Sequence, residues 1–121
     1  ADGSIRFIGR GSVCINTGGE KVFPEEVEEA LKTHAAVRDA IVVGVPDARF
    51  GEAITAVIEL AEDAEVDDTA LLEHVKARLA RYKAPRHLVR VDSLRRAPNG
   101  KADYAAIRAL AIEQLAHRAT V

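Results

Sequence analysis

Hydrophobic and polar positions along the chain divide it into short elements. Ile5–Arg6–Phe7–Ile8, following Asp2–Gly3, alternates as a short strand leaving a hairpin turn does. Its partner is expected before Ala1, so the chain reads as the end of a longer protein. Thr17–Gly18–Gly19–Glu20 breaks the pattern, and Pro24 with Glu25 and Glu26 opens a helix whose Val27, Ala30 and Leu31 share a face, ending near His34. Val37 to Val45 is a run rich in β-branched residues that stops at Pro46–Asp47. Ala53 to Leu60 alternates, with Ile54, Ala56, Ile58 and Leu60 on one side. Asp67 or Asp68 caps a second helix carrying Leu72, Val75 and Leu79 and ending before Pro85. His87 to Val91 is a further strand, Asn99–Gly100 a turn, and Asp103 opens a last helix with Tyr104, Ile107 and Ala111 facing inward. The expected fold is α+β: a small sheet with a leading β-hairpin and about three packed helices around one core.

With 121 residues, 48% of them hydrophobic, the chain has material for one core. No run approaches the ~20 apolar residues of a membrane span, and no signal-peptide pattern opens it, so the expectation is a cytoplasmic protein without a transmembrane segment. A lone Cys14 excludes an internal disulfide and reads as a small core residue. The net charge of −2 excludes a polybasic nucleic-acid binder. Charge is nevertheless segregated: Glu59 to Glu73 holds seven acidic residues and no basic one, whereas Lys76 to Lys101 holds nine basic residues against Asp92. The basic stretch either meets an anion or is a solvated face.

Several site patterns fail on single residues. Gly9–Arg10–Gly11 lacks the third glycine of a dinucleotide fingerprint, because Cys14 stands there. Gly100–Lys101 resembles the end of a phosphate-binding loop, but Arg95 replaces its first glycine and Ala102 its Ser or Thr. His34, His74, His87 and His117 have no metal-ligand spacing, so no metal site is expected.

Three segments remain: GRGSVCINTGGEKVFPEEVE from Gly9, GVPDARFGE from Gly44, and YKAPRHLVRVDSLRRAPNGK from Tyr82. Together they resemble the C-terminal domain of the adenylate-forming superfamily, which includes acyl-CoA synthetases, nonribosomal-peptide adenylation domains and luciferases. The form GGEKVFPEEVE followed by VPD and GE looks most like the fatty acyl-CoA ligase branch.

The resemblance implies residues 1–11 as the end of a preceding hairpin and the hinge approach, and residues 12–121 as a mobile domain. A large N-terminal domain binding ATP and the carboxylate would be its partner. Implied substrates are a fatty acid, ATP with Mg2+, and CoA; no nucleic acid is involved, and the isolated domain is expected to be inactive. In one pose the carboxylate attacks the α-phosphorus of ATP; in the other a thiol displaces AMP.

Lys101 matches the catalytic lysine of the PNGK motif, an ammonium able to bridge two anions as charge grows on the α-phosphate. Pro98, Asn99 and Gly100 would shape its loop. Arg10 matches the arginine near the nucleotide ribose. Ser12 matches the hinge position, where the family usually carries Asp or Lys. Gly18, Gly19 and Glu20, with Lys21, match the loop lying against the pantetheine arm of CoA. Arg81, Lys83 and Arg86 carry no assigned role. Two alternatives stand beside this reading: an adenylation enzyme that delivers its acyl group to a carrier protein, and an independent anion- or nucleic-acid-binding module using Lys76 to Lys101.

Overall fold

A computed structural model describes residues 7–8, 12–94 and 103–119 of the chain. The elements in order are β1 (Phe7–Ile8), β2 (Ser12–Val13), β3 (Ile15–Thr17), β4 (Glu20–Val22), α1 (Pro24–Lys32), β5 (Val37–Asp47), β6 (Gly51–Leu60), α2 (Asp68–Lys76), a 3-10 turn (Arg81–Lys83), β7 (His87–Val91) and α3 (Tyr104–Ala119). β1 and β2 pair antiparallel, Phe7 with Val13 and Ile8 with Ser12. The described part of the strand expected at Ile5–Ile8 thus pairs forward along the chain, with Ser12–Val13.

The other five strands form one mixed sheet ordered β4-β3-β6-β5, with β7 joined to β6. β5 lies antiparallel along the whole of β6, from Val37–Leu60 to Asp47–Gly51. On the other edge of β6, β7 runs parallel beside residues 55–59, while β3 meets only its first residue through the pair Thr17–Gly51. The β5–β6 turn is built by Asp47, whose Oδ1 accepts the amides of Arg49 (2.8 Å) and Phe50 (3.0 Å). Those two bonds hold its carboxyl below the usual Asp range. Gly51, at φ +84°, supplies the left-handed residue that returns the chain to β6.

Successive residues of β5 enter different cores. Val37, Ala40 and Val42 pack with Ile54, Ala56 and Ile58 of β6 against Val27 and Leu31 of α1 and Leu71 and Val75 of α2. Ile41, Val43 and Val45 pack with Ala53 and Val57 against Ile107 and Ala111 of α3. The sheet is therefore covered on both faces, which is why Val37 to Val45 reads as a continuous apolar run rather than an alternation.

β5 extends through Pro46 because it is an edge strand. Val42 N–H bonds a side chain rather than β6, and Pro46 shares its parity, so the missing amide hydrogen faces the free edge. α2 is capped by Asp67, whose Oδ1 accepts from Ala70 N at 2.8 Å. Its deeply buried residues are Leu71 and Val75; Leu72 is only partly buried, and Leu79 lies past the helix end, still touching the core. α3 begins as expected, Asp103 Oδ1 accepting from Ala106 N at 3.0 Å.

Candidate functional site

Gly18 and Gly19 form the two-residue turn between β3 and β4, with Thr17 paired to Glu20. Both have positive φ, +58° and +85°, the requirement of a type I′ hairpin turn. A Cβ on Gly18 would touch the Phe50 ring at 3.6 Å, whereas a Cβ on Gly19 would meet nothing within 4 Å among the described residues. Gly19 thus presents bare backbone to open space, the surface an extended thin ligand needs, and any L side chain there is strained by φ as well.

Few bonds hold this hairpin to the rest of the sheet. Gly18 N donates to Phe50 O at 2.9 Å, and Asn16 N donates to Glu52 Oε1 at 2.8 Å. Phe50 is itself overlain by Arg86, its guanidinium carbon 3.7 Å from the ring centroid. Lys83 is ion-paired with Glu26 at 2.6 Å, and this bond raises the lysine pKa. Arg90 pairs with Asp68 at 2.7 Å and Lys76 with Glu73 at 3.8 Å, so the basic and acidic stretches partly neutralise one another.

Ser12 opens β2, opposite Ile8. Arg10 and Lys101, together with Gly9, Pro98, Asn99 and Gly100, lie outside the described residues. Lys101 precedes the first turn of α3 by three positions. Among the described residues no group of three or more His, Cys, Asp or Glu side chains is arranged to hold a metal, and no helix is long and apolar enough to cross a membrane.

Two carboxylates that sequence reasoning did not single out organise this part of the molecule. Glu28 of α1 is fully buried; its Oε2 accepts from Val42 N at 2.9 Å and from the Tyr104 hydroxyl at 2.8 Å, while its Oε1 has no hydrogen-bond partner among the described residues. Burial pushes its carboxyl pKa up, against the opposing effect of those two bonds. Its place three residues before Leu31, on the apolar face of the helix, was the available signal. Glu52, on β6, is the Glu of the GVPDARFGE segment.

A two-sided mixed sheet with two helices on one face, one on the other and a double-glycine turn at one end is the α+β architecture of the C-terminal domain of adenylate-forming enzymes. The chain belongs to the AMP-binding enzyme C-terminal domain family, whose model matches residues 26–101 and so reaches Lys101. It is 54% identical over 104 residues to the 3-oxocholest-4-en-26-oate–CoA ligase of Rhodococcus rhodochrous, a match covering 86% of this chain and 19% of that protein. It is 50% identical over 104 residues to the medium-chain acyl-CoA ligase Mig of Mycobacterium avium, with the same coverage of each. Among solved structures it resembles the Brucella canis acyl-CoA synthetase, with TM-score 0.78 and 32% identity over 92% of this chain and 22% of that one. The chain thus spans about a fifth of the length of the curated relatives it matches.

Proposed function

We propose that this chain is the mobile C-terminal domain of a cytoplasmic ATP-dependent acyl-CoA ligase, residues 12–121 turning about Ser12 against a large N-terminal domain. The observation that carries this reading is the 50–54% identity to relatives named as CoA ligases. Their names mention medium- and long-chain fatty acids and a sterol-derived acid, so the substrate we propose is a largely apolar carboxylic acid.

In the first half-reaction a carboxylate oxygen attacks the α-phosphorus of ATP, which arrives with Mg2+, and pyrophosphate leaves. Lys101 bridges the two anions and offsets charge growing on the phosphate, while Arg10 contacts the ribose. In the second, the CoA sulfur attacks the acyl carbon of the adenylate, the thiol proton is lost and AMP leaves. Gly18, Gly19 and Glu20 then border the pantetheine arm, whose passage the open space over Gly19 permits.

The test is Lys101→Ala in the full-length enzyme, with pyrophosphate release and thioester formation from supplied acyl-adenylate measured separately. The expected result is loss of the first by about a hundredfold or more with the second largely kept. Equal loss of both would overturn the assignment.

A further inference from the structure

The contact between β3 and β6 is unusual in being almost without a ladder. Only Thr17 and Gly51 pair. The left-handed φ of Gly51 bends β6 there, and by Ile54 its edge has been taken over by the approach to β7, Arg86 N donating to Ile54 O at 2.8 Å. Asn16 N–H, which points from β3 toward this gap, finds no backbone carbonyl of β6. Glu52 Oε1 accepts it instead, at 2.8 Å. A side-chain carboxylate thus replaces the missing rung, and with Gly18 N to Phe50 O it brackets the single backbone pair.

The fold also leaves room for that carboxylate. A Cβ on Gly44, the β5 residue paired with Ile54, would stand 3.0 Å from Glu52 Cδ, 3.1 Å from Glu52 Oε2 and 3.0 Å from Ile15 Cγ2. Ordinary contact begins near 3.4 Å, so any side chain here displaces Glu52 or Ile15. Gly44 therefore holds open the groove through which Glu52 reaches β3.

We infer that Glu52 is a positioning residue for thioester formation: its carboxylate, seated over Gly44, fixes the base of the β3–β4 hairpin and so the place of the Gly18–Gly19 backbone that borders pantetheine. The inference rests on the proposed role of that loop. Glu52 touches no reacting atom; it sets how well the loop is held when CoA enters.

The experiment uses the full-length ligase with ATP, a medium-chain fatty acid and CoA. Glu52→Ala and Glu52→Asp both lose the bond to Asn16, the second because it is one methylene short; Gly44→Ala crowds the carboxylate and Ile15 without removing either. All three are expected to raise the KM for CoA and lower kcat/KM for CoA by about tenfold relative to any change in pyrophosphate release. Glu52→Gln, which keeps an oxygen acceptor at the same reach, restores most of the loss. A purely structural role predicts that both half-reactions fall together, and that result, or unchanged CoA kinetics in folded Ala and Asp variants, overturns the inference. Gly19→Asn, whose residue type best tolerates positive φ, separates the two layers of argument. If it impairs CoA use while the Glu52 variants do not, only the positioning role is lost; if it leaves CoA use at the wild-type level, the loop assignment falls and the inference with it.

Discussion

Tyr104 and Glu28 meet around the free edge of β5, the tyrosine hydroxyl donating to Oε2 at 2.8 Å although their helices pack on opposite faces of the sheet. The same oxygen accepts Val42 N–H. Two residues further along β5, Arg108 Nε donates to Gly44 O at 2.7 Å. An edge strand leaves alternate N–H and C=O groups unpaired, and here side chains from both helix layers satisfy them. The contact thus joins α1, β5 and α3 at one carboxylate whose second oxygen is buried without a hydrogen-bond partner among the described residues.

That geometry fixes a pH dependence. Burial raises the Glu28 carboxyl above its ordinary 4.5, so between that value and the folded one the native state binds more protons than the unfolded state. This contribution to stability is complete below pH 4.5 and is lost as pH rises through the folded value. Glu28→Gln cannot ionise, so the difference in unfolding free energy between wild type and variant should shift toward the variant across that window and then level off. Denaturant titrations at a series of pH values measure it; a flat difference would refute the account.

Tyr104→Phe removes the hydroxyl and leaves a buried carboxylate with one partner fewer. The expected cost is about 1–3 kcal/mol. Because the lost bond favoured the ionised form, the Glu28 carboxyl rises further and the fall in stability should continue to higher pH than in wild type. In a Glu28→Gln background this extra pH dependence should vanish, which a double-mutant cycle reads directly.

His74 gives a slope of the opposite sign. Thr33 Oγ1 donates to Ala30 O at 2.6 Å, so it accepts from His74 Nε2, 2.7 Å away; Arg78 Nη1 then faces Nδ1 at 3.3 Å as a donor. The ring is held neutral as the Nε2–H tautomer. Desolvation, with Arg78 and His34 adding repulsion, places its pKa below the ordinary 6.5. Its contribution is present above pH 6.5 and disappears as pH falls through the lowered value. Imidazole NMR should find that tautomer and a midpoint below 6.5, moving up in Arg78→Ala; a wild-type midpoint at or above 6.5 would contradict this arrangement.

What the sequence revealed follows the range of the interactions involved. α1, β7 and the start of α3 are set by Pro24, by the run His87 to Val91 and by Asp103, all local signals, and they stand where those residues put them. β2, β3 and β4 have two or three residues each, too few for a period-two pattern to mark them as strands. In α2 the adjacent Leu71 and Leu72 differ by one step of about 100° around the helix. The structure buries Leu71, a choice that depends on where α1 lies. Gly18, Gly19 and Glu20 were legible through their motif and do form one turn. Glu28 and Glu52 lie within the motif segments as well, and the apolar helix face marks Glu28 as a buried carboxylate, but their partners were not legible, because each accepts from a backbone amide far away, 14 and 36 residues along the chain.

Ser12 carries the last prediction, since the proposed two-pose cycle turns on it. The residue opens a two-residue strand opposite Ile8, and only Cys14 separates that strand from β3, where the five-stranded sheet begins. A ladder of two residue pairs has little to resist rearrangement, which suits a point of rotation. Ser12→Pro would fix φ near about −65° and remove one amide donor while leaving the packed cores untouched. If the two half-reactions need different backbone angles here, the variant keeps one and loses much of the other, and the ratio of pyrophosphate release to thioester formation from supplied acyl-adenylate changes by about tenfold or more. Were this an ordinary loop, both would change slightly and in parallel. Wild-type rates for both halves in a stably folded Ser12→Pro enzyme would move the hinge to another residue.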